Sequence, residues 1–303
     1  MADRYMYTIA WICSCDIEFN AAIAFLDERH PNPLLVVKSD PNIYALGKMH
    51  ERYVVIASRR DGEYGRPNLN CPVNTFLVRS FPNVRCGLLV GLGGGAPTLN
   101  QDVQLGDVVV GDPDKHTSGV IAYNVISSIL HKKFCQDWAL NMAPREIRKG
   151  QDKLFTELKQ NSTLIVEVAA DTAKKTSDPS IYSRPHAEPK RLVDPLCKIH
   201  YGLIASGHKL MDNDQVRNII AVENNILCFE TEAAMILNDL PCVVIKGICD
   251  FAGPKKTTRW RGWATMTAGA YAKCLLKHMA LETPRQLYDM LPTQAYRHQL
   301  DTK

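Results

Sequence analysis

A three-layer α/β/α domain with a mixed central sheet is the fold class this chain predicts. Three observations lead there. Short apolar strand segments alternate with helical stretches, which argues for a layered α/β domain. A β-branched run, Val243–Ile245, is bounded by Pro241 on one side and acids beyond. A second apolar run, Gly87–Val90, passes straight into Gly91-Leu92-Gly93-Gly94-Gly95. In order along the chain, Thr8–Cys13 reads as the first strand, Ile17–Glu28 as a helix closed by Pro31 and Pro33, and Arg52–Ala57 as a strand. Thr75–Arg79 reads as helical, Asp107–Val110 and His200–Ser206 as strands, and Ala233–Leu240 as a helix that Pro241 ends. Ala264–Met279, rich in Ala, Gly and Thr, reads as a helix packed closely on its neighbours. One domain is expected over 1–285, with a more polar insertion at about 125–195 and a tail over 286–303.

Composition sets the outer bounds. Of 303 residues, 46% are hydrophobic and 22% charged, enough for a full core. The net charge of +4 comes from scattered basic residues, so nucleic acid is not an expected partner. No apolar run approaches the roughly 20 residues of a membrane span, and no secretory leader is legible. The ten cysteines include no Cys-x-x-Cys pair and sit mostly in apolar segments. They read as reduced core thiols in a cytoplasmic protein, with no metal site and no cofactor.

The most informative stretch is 228–251. Glu230, Glu232 and Asp250 interrupt an otherwise apolar sequence, and acids are seldom buried without a partner. Asp250 falls just past the end of the Val243–Ile245 strand, where ligands bind in open α/β sheets. The glycine run follows a strand too, where backbone amides can approach an anion or a sugar. It is neither a dinucleotide fingerprint nor a P-loop, since Pro97 follows at once and no Gly-Lys-Ser/Thr is present.

Five segments then occur in a telling order: Gly91–Pro97, Leu105–Val110, Tyr201–Gly207, Phe229–Ala233 and Lys246–Asp250. Together they resemble the nucleoside phosphorylase superfamily, which includes the 5′-methylthioadenosine/S-adenosylhomocysteine nucleosidases. The resemblance covers about 5–125 and 198–280. It implies a phosphorylase-like fold, a homo-oligomer, and a purine nucleoside or nucleotide as small-molecule ligand. Asp250 matches the acid that protonates the leaving base at N7, and Glu232 the carboxylate that grips the ribose hydroxyls. Thr231 stands where a Met often packs on the sugar, with Glu230 in a supporting role. Leu92, Gly93 and Gly94 border the sugar. Leu210, Met211 and Phe251 are expected at the base, with His208, Trp260 and Trp263 as further candidates there.

The superfamily divides by nucleophile. A phosphate dianion needs charge-assisted donors, yet the first loop, Cys13-Ser14-Cys15-Asp16-Ile17-Glu18, has two acids and no arginine. Leu92 also replaces a common phosphate-binding Ser or Thr. Glu18 resembles the nucleosidase glutamate that deprotonates an attacking water, so hydrolysis of an adenine-type nucleoside is expected. Phosphorolysis is the alternative, with Arg59, Arg60 and Arg66 as its candidate cations. Domains of this family also serve as ligand sensors; the absence of an added module in this sequence favours an enzyme.

Overall fold

The computed structural model describes residues 3–31, 40–59, 73–113, 118–123, 145–185 and 197–279. Among these residues, ten strands form one sheet: β1 (Ile9–Ile12), β2 (Glu28–His30), β3 (Asn42–Met49), β4 (Arg52–Arg59), β5 (Cys86–Gly95), β6 (Val108–Gly111), β7 (Val120–Tyr123), β8 (Ile199–Gly207), β9 (Ile226–Glu230) and β10 (Cys242–Asp250). Their order is β10-β6-β8-β9-β5-β1-β4-β3-β2, with β7 paired to β8. Because β10 also pairs in parallel with β5, the strands β5, β10, β6, β8 and β9 close into a ring. From it β1 to β4 and then β3 and β2 extend as an open sheet. The sheet is mixed: β1, β4, β5 and β10 run parallel, β3 is antiparallel to β2 and β4, and β6 is antiparallel to β10 but parallel to β8.

Helices cover both faces. On one lie α1 (Asp16–Ala24), α3 (Arg145–Gln160), α4 (Leu164–Ala173), α5 (Pro179–Tyr182) and the long α8 (Arg261–His278), and on the other α2 (Val73–Ser80) and α7 (Ala233–Ile236). The helix α6 (Asp214–Asn224) packs beside β9. The axis of the first layer is α8, buried around nearly its whole circumference from Gly262 to Leu276. Its small residues permit this. An added Cβ at Gly269 would meet the Phe25 ring at 2.2 Å, and one at Gly247 on β10 would meet Ala264 O at 1.8 Å.

Several expected boundaries move. The first helix ends at Ala24, because residues 28–30 leave it to pair with β3. The helix after Glu232 is one turn, Ala233–Ile236, and Asp250 is the last residue of β10 rather than a residue beyond it. The glycine run is strand throughout, since β10 and β9 supply its ladder partners. The strands β2, β3, β7 and β9 were absent from the sequence reading. The insertion contributes α3, α4 and α5. Residues 124–144 and 186–196 of that region lie outside the described set, as do Arg60, Arg66 and the 286–303 tail. Among described residues, no helix is long and apolar enough to cross a membrane and no cluster of three or more His, Cys, Asp or Glu side chains could hold a metal. The eight described cysteines are buried and form no disulfide.

Candidate active site

Strand ends bring distant acids together. Glu18 comes from the first turn of α1, immediately after β1; Leu92, Gly93 and Gly94 come from β5; Glu230 ends β9; and Asp250 ends β10. These residues line one pocket with Leu210, Met211, Phe229, Thr231, Glu232, Ala252 and Lys256.

Glu18 is buried and accepts two backbone hydrogen bonds, from Ser14 N at 2.7 Å and Leu92 N at 2.9 Å. Gly91 makes the second one possible, because an added Cβ there would lie 2.5 Å from Glu18 Oε1. Burial pushes the Glu18 carboxyl up, against the pull of Lys246 and the two amides. The amide that the glycine run offers to an anion is therefore taken by the protein's own carboxylate.

Glu230 and Lys246, both buried, form a charge cluster with the partly exposed Glu232. The Lys246 side chain has no exposed surface, and its Nζ lies 3.1 Å from Glu230 Oε2 and 3.0 Å from Glu232 Oε2. Burial alone would push the ammonium down, but Glu232, Glu230 and Glu18 hold it well above the usual lysine range. Glu230 also accepts from Glu232 N and Ala233 N, each at 3.1 Å, and so satisfies amides that open α7. Burial pushes it up to about 7 despite Lys246. Burial acts on Glu232 as well, but Lys246, its neighbour Glu230 and the Thr231 hydroxyl at 2.6 Å hold it down to about 2. Two carboxylates sharing one ammonium divide in this way. Glu232 keeps 24% of its side chain exposed, so its carboxylate remains open to the pocket.

Asp250 sits at an irregularity in the β5–β10 ladder, where Ile248 pairs with Gly93 and Asp250 with Gly94. Such bulges re-aim a side chain beside a site. Its Oδ1 accepts from Ala252 N at 2.8 Å and from Lys256 Nζ at 3.2 Å. One end of the pocket is apolar: Met211 and Phe229 are buried, and the Tyr123 ring meets Phe229 edge-on at 5.4 Å.

Of the expected residues, Asp250, Glu18, Glu232, Thr231, Glu230, Gly93, Gly94, Leu92, Leu210 and Met211 line this pocket. Phe251 does not. It follows Asp250, so its side chain leaves the opposite side of the chain, towards Gly95. His208 is exposed and outside the lining, and Trp260 and Trp263 are core residues that close on Gly106. Arg59 ends β4 and is not in the lining either. Sequence reasoning missed Phe229, Ala252, Lys256 and Lys246. A lone lysine inside Val-Val-Ile-Lys-Gly-Ile was a readable signal of a buried ion pair; Lys256 had none.

No protein-family model matches the chain. A curated nucleotide-binding leucine-rich repeat (NLR)-like protein of Hyaloscypha variabilis is 31% identical over 320 aligned positions, which take in 94% of this chain but 31% of the relative. The chain thus spans about a third of the length of the curated relative it matches. Solved structures resemble it over most of their length. A Helicobacter pylori 5′-methylthioadenosine nucleosidase mutant with 5′-methylthioadenosine in its active site aligns at TM-score 0.60 and 14% identity, covering 90% of this chain and 99% of that one. The 5′-methylthioadenosine/S-adenosylhomocysteine nucleosidase of Neisseria meningitidis gives 0.59 and 16%, covering 89% and 98%. Futalosine hydrolase of H. pylori gives 0.56 and 14%, covering 91% and 100%. Ring-closed mixed sheet, glycine strand and these neighbours agree: the chain has the fold of the nucleoside phosphorylase/nucleosidase superfamily.

Proposed function

We propose that this chain hydrolyses the N-glycosidic bond of a purine nucleoside or nucleotide, releasing free base and the ribose moiety. The observation that carries the reading is the bond from Leu92 N to Glu18 Oε1. It fills the glycine strand's anion-accepting position with a carboxylate. Among the described lining residues there are four acids and one lysine, a charge balance that repels a phosphate dianion. Water is then the nucleophile. Glu18, raised by burial, is the base that takes its proton, and a carboxylate retains acceptor capacity beyond the two amides it already binds. Glu232, held ionised by Lys246, accepts from the ribose hydroxyls and faces the positive charge that grows on the departing sugar. Asp250 gives a proton to N7 of the leaving purine. Leu210, Met211 and Phe229 flank the ring, and a carboxyl beside N7 also suits a 6-amino group, so adenine-type substrates lead.

The NLR-like relative favours a second reading, in which the domain binds a nucleoside as the sensing module of a longer protein. The length of this sequence therefore lends no support to an enzyme over a sensor. A panel of adenosine, inosine, guanosine and their 5′-phosphates, incubated with the protein and resolved by chromatography, decides between them. Free base released from at least one supports hydrolysis. Binding by calorimetry with no base released from any of them supports the sensor.

A further inference from the structure

Lys256 projects from the 251–260 segment between β10 and α8, and its ammonium stands 3.2 Å from Asp250 Oδ1. Local backbone geometry builds this contact. Ala252 holds φ at +41°, a left-handed conformation disfavoured for a residue with a Cβ. Gly94 packs beneath that turn, where an added Cβ would lie 2.8 Å from Ala252 Cβ. The turn brings the Ala252 amide onto Oδ1 at 2.8 Å and folds the chain back, so that Lys256 lines the same pocket. Oδ1 thus holds two donors. Oδ2 has the weakly polar Cys249 thiol at 3.9 Å, which leaves it the oxygen suited to a ligand.

We propose that Lys256 is a positioning residue for leaving-group departure. It orients the Asp250 carboxyl with Oδ2 towards the base, and it stabilises the carboxylate that remains once the proton has gone. This rests on the hydrolytic reading above. In that step the C1′–N9 bond breaks and its electron pair moves onto the purine. The proton on Oδ2 passes to N7, while water adds to C1′ as Glu18 takes its proton. Lys256 stays an ammonium throughout. Solvent returns a proton to Asp250 and removes one from Glu18 before the next turnover. The benefit of the lysine is therefore confined to leaving groups that need the proton.

The test compares Lys256→Met with the unmodified protein on adenosine and on p-nitrophenyl β-D-ribofuranoside, whose nitrophenolate departs without protonation. We expect kcat on adenosine to fall about 100-fold, the lower end of what a general acid contributes, and kcat on the nitrophenyl riboside to stay within about threefold. Lys256→Arg, which keeps the charge and a donor, should restore most of the adenosine activity. Lys255→Met, at an exposed neighbour outside the pocket, should leave both substrates unaffected. Equal losses on the two substrates, or no loss on adenosine, overturn the proposal while hydrolysis stands. Should the unmodified protein release base from no nucleoside, the hydrolytic reading has failed and this inference falls with it.

Discussion

Lys246 has two glutamates within 3.1 Å and no exposed surface, which makes it the most consequential single side chain outside the pocket lining. Lys246→Met would leave the buried Glu230 beside the partly exposed Glu232 with no counter-charge. Breaking such a pair by removing one partner costs about 3–5 kcal/mol, to be read from urea denaturation; a loss below about 1 kcal/mol would show that the carboxylates find other compensation. Asp250→Asn should abolish base release and leave nucleoside binding within a few-fold. Near-normal turnover in that variant removes Asp250 from the acid role. Glu232→Gln should weaken turnover more on a ribonucleoside than on its 2′-deoxy analogue, and equal losses on the two would refute a 2′-hydroxyl contact. At this scale the acids were legible because each stands in an apolar frame. Lys246 is legible on the same logic, standing alone in an apolar strand. Lys256 was not, being one of several cations in a polar segment until the turn at Ala252 selects it.

The strand β5 shows how an element can be recognised and misassigned together. Its glycines are expected to follow the strand and offer amides to a ligand, whereas β10 pairs with it as far as Gly94 and β9 pairs with Gly94 and Gly95. The glycines instead allow close approach, by Glu18 at Gly91 and by Ala252 at Gly94. Gly91→Ala should therefore displace the Glu18 carboxylate and lower kcat by about 100-fold or more, with a melting temperature close to that of the unmodified protein. Retained turnover would mean that the seat of Glu18 on β5 is dispensable. The strand β3, Asn-Ile-Tyr-Ala-Leu-Gly-Lys-Met, escaped detection because it mixes polar and apolar residues without strict alternation, and its place is fixed by pairing with β4 over its whole length. The short α7 illustrates the opposite error: the helical pattern continues to Leu240, but regular helix stops at Ile236.

Across the whole molecule, five strands close into a ring, and acids at or just beyond the ends of three strands, β1, β9 and β10, meet in one pocket. The concentration of charge has a stability signature. Burial raises both Glu18 and Glu230, the latter to about 7, above the ordinary 4.5. Over that interval the folded state holds protons that the unfolded chain has released, so stability falls as pH rises from about 4.5 to about 7. Glu232, held near 2, acts in the opposite sense only below 4.5. Glu230→Gln should flatten the fall between those limits, as measured by denaturation at several pH values; an unchanged slope would place the protonated group elsewhere. Fold class and the order of the site segments were readable from sequence, since they depend on apolar runs and acids. The ring closure was not, because it depends on β10 pairing with both β5 and β6. The central claim is that water, activated by Glu18, attacks the sugar. Its most direct test is the identity of the sugar product when adenosine is turned over in excess phosphate. The account predicts free ribose and a rate of base release that phosphate does not change, whereas accumulation of ribose 1-phosphate would contradict it.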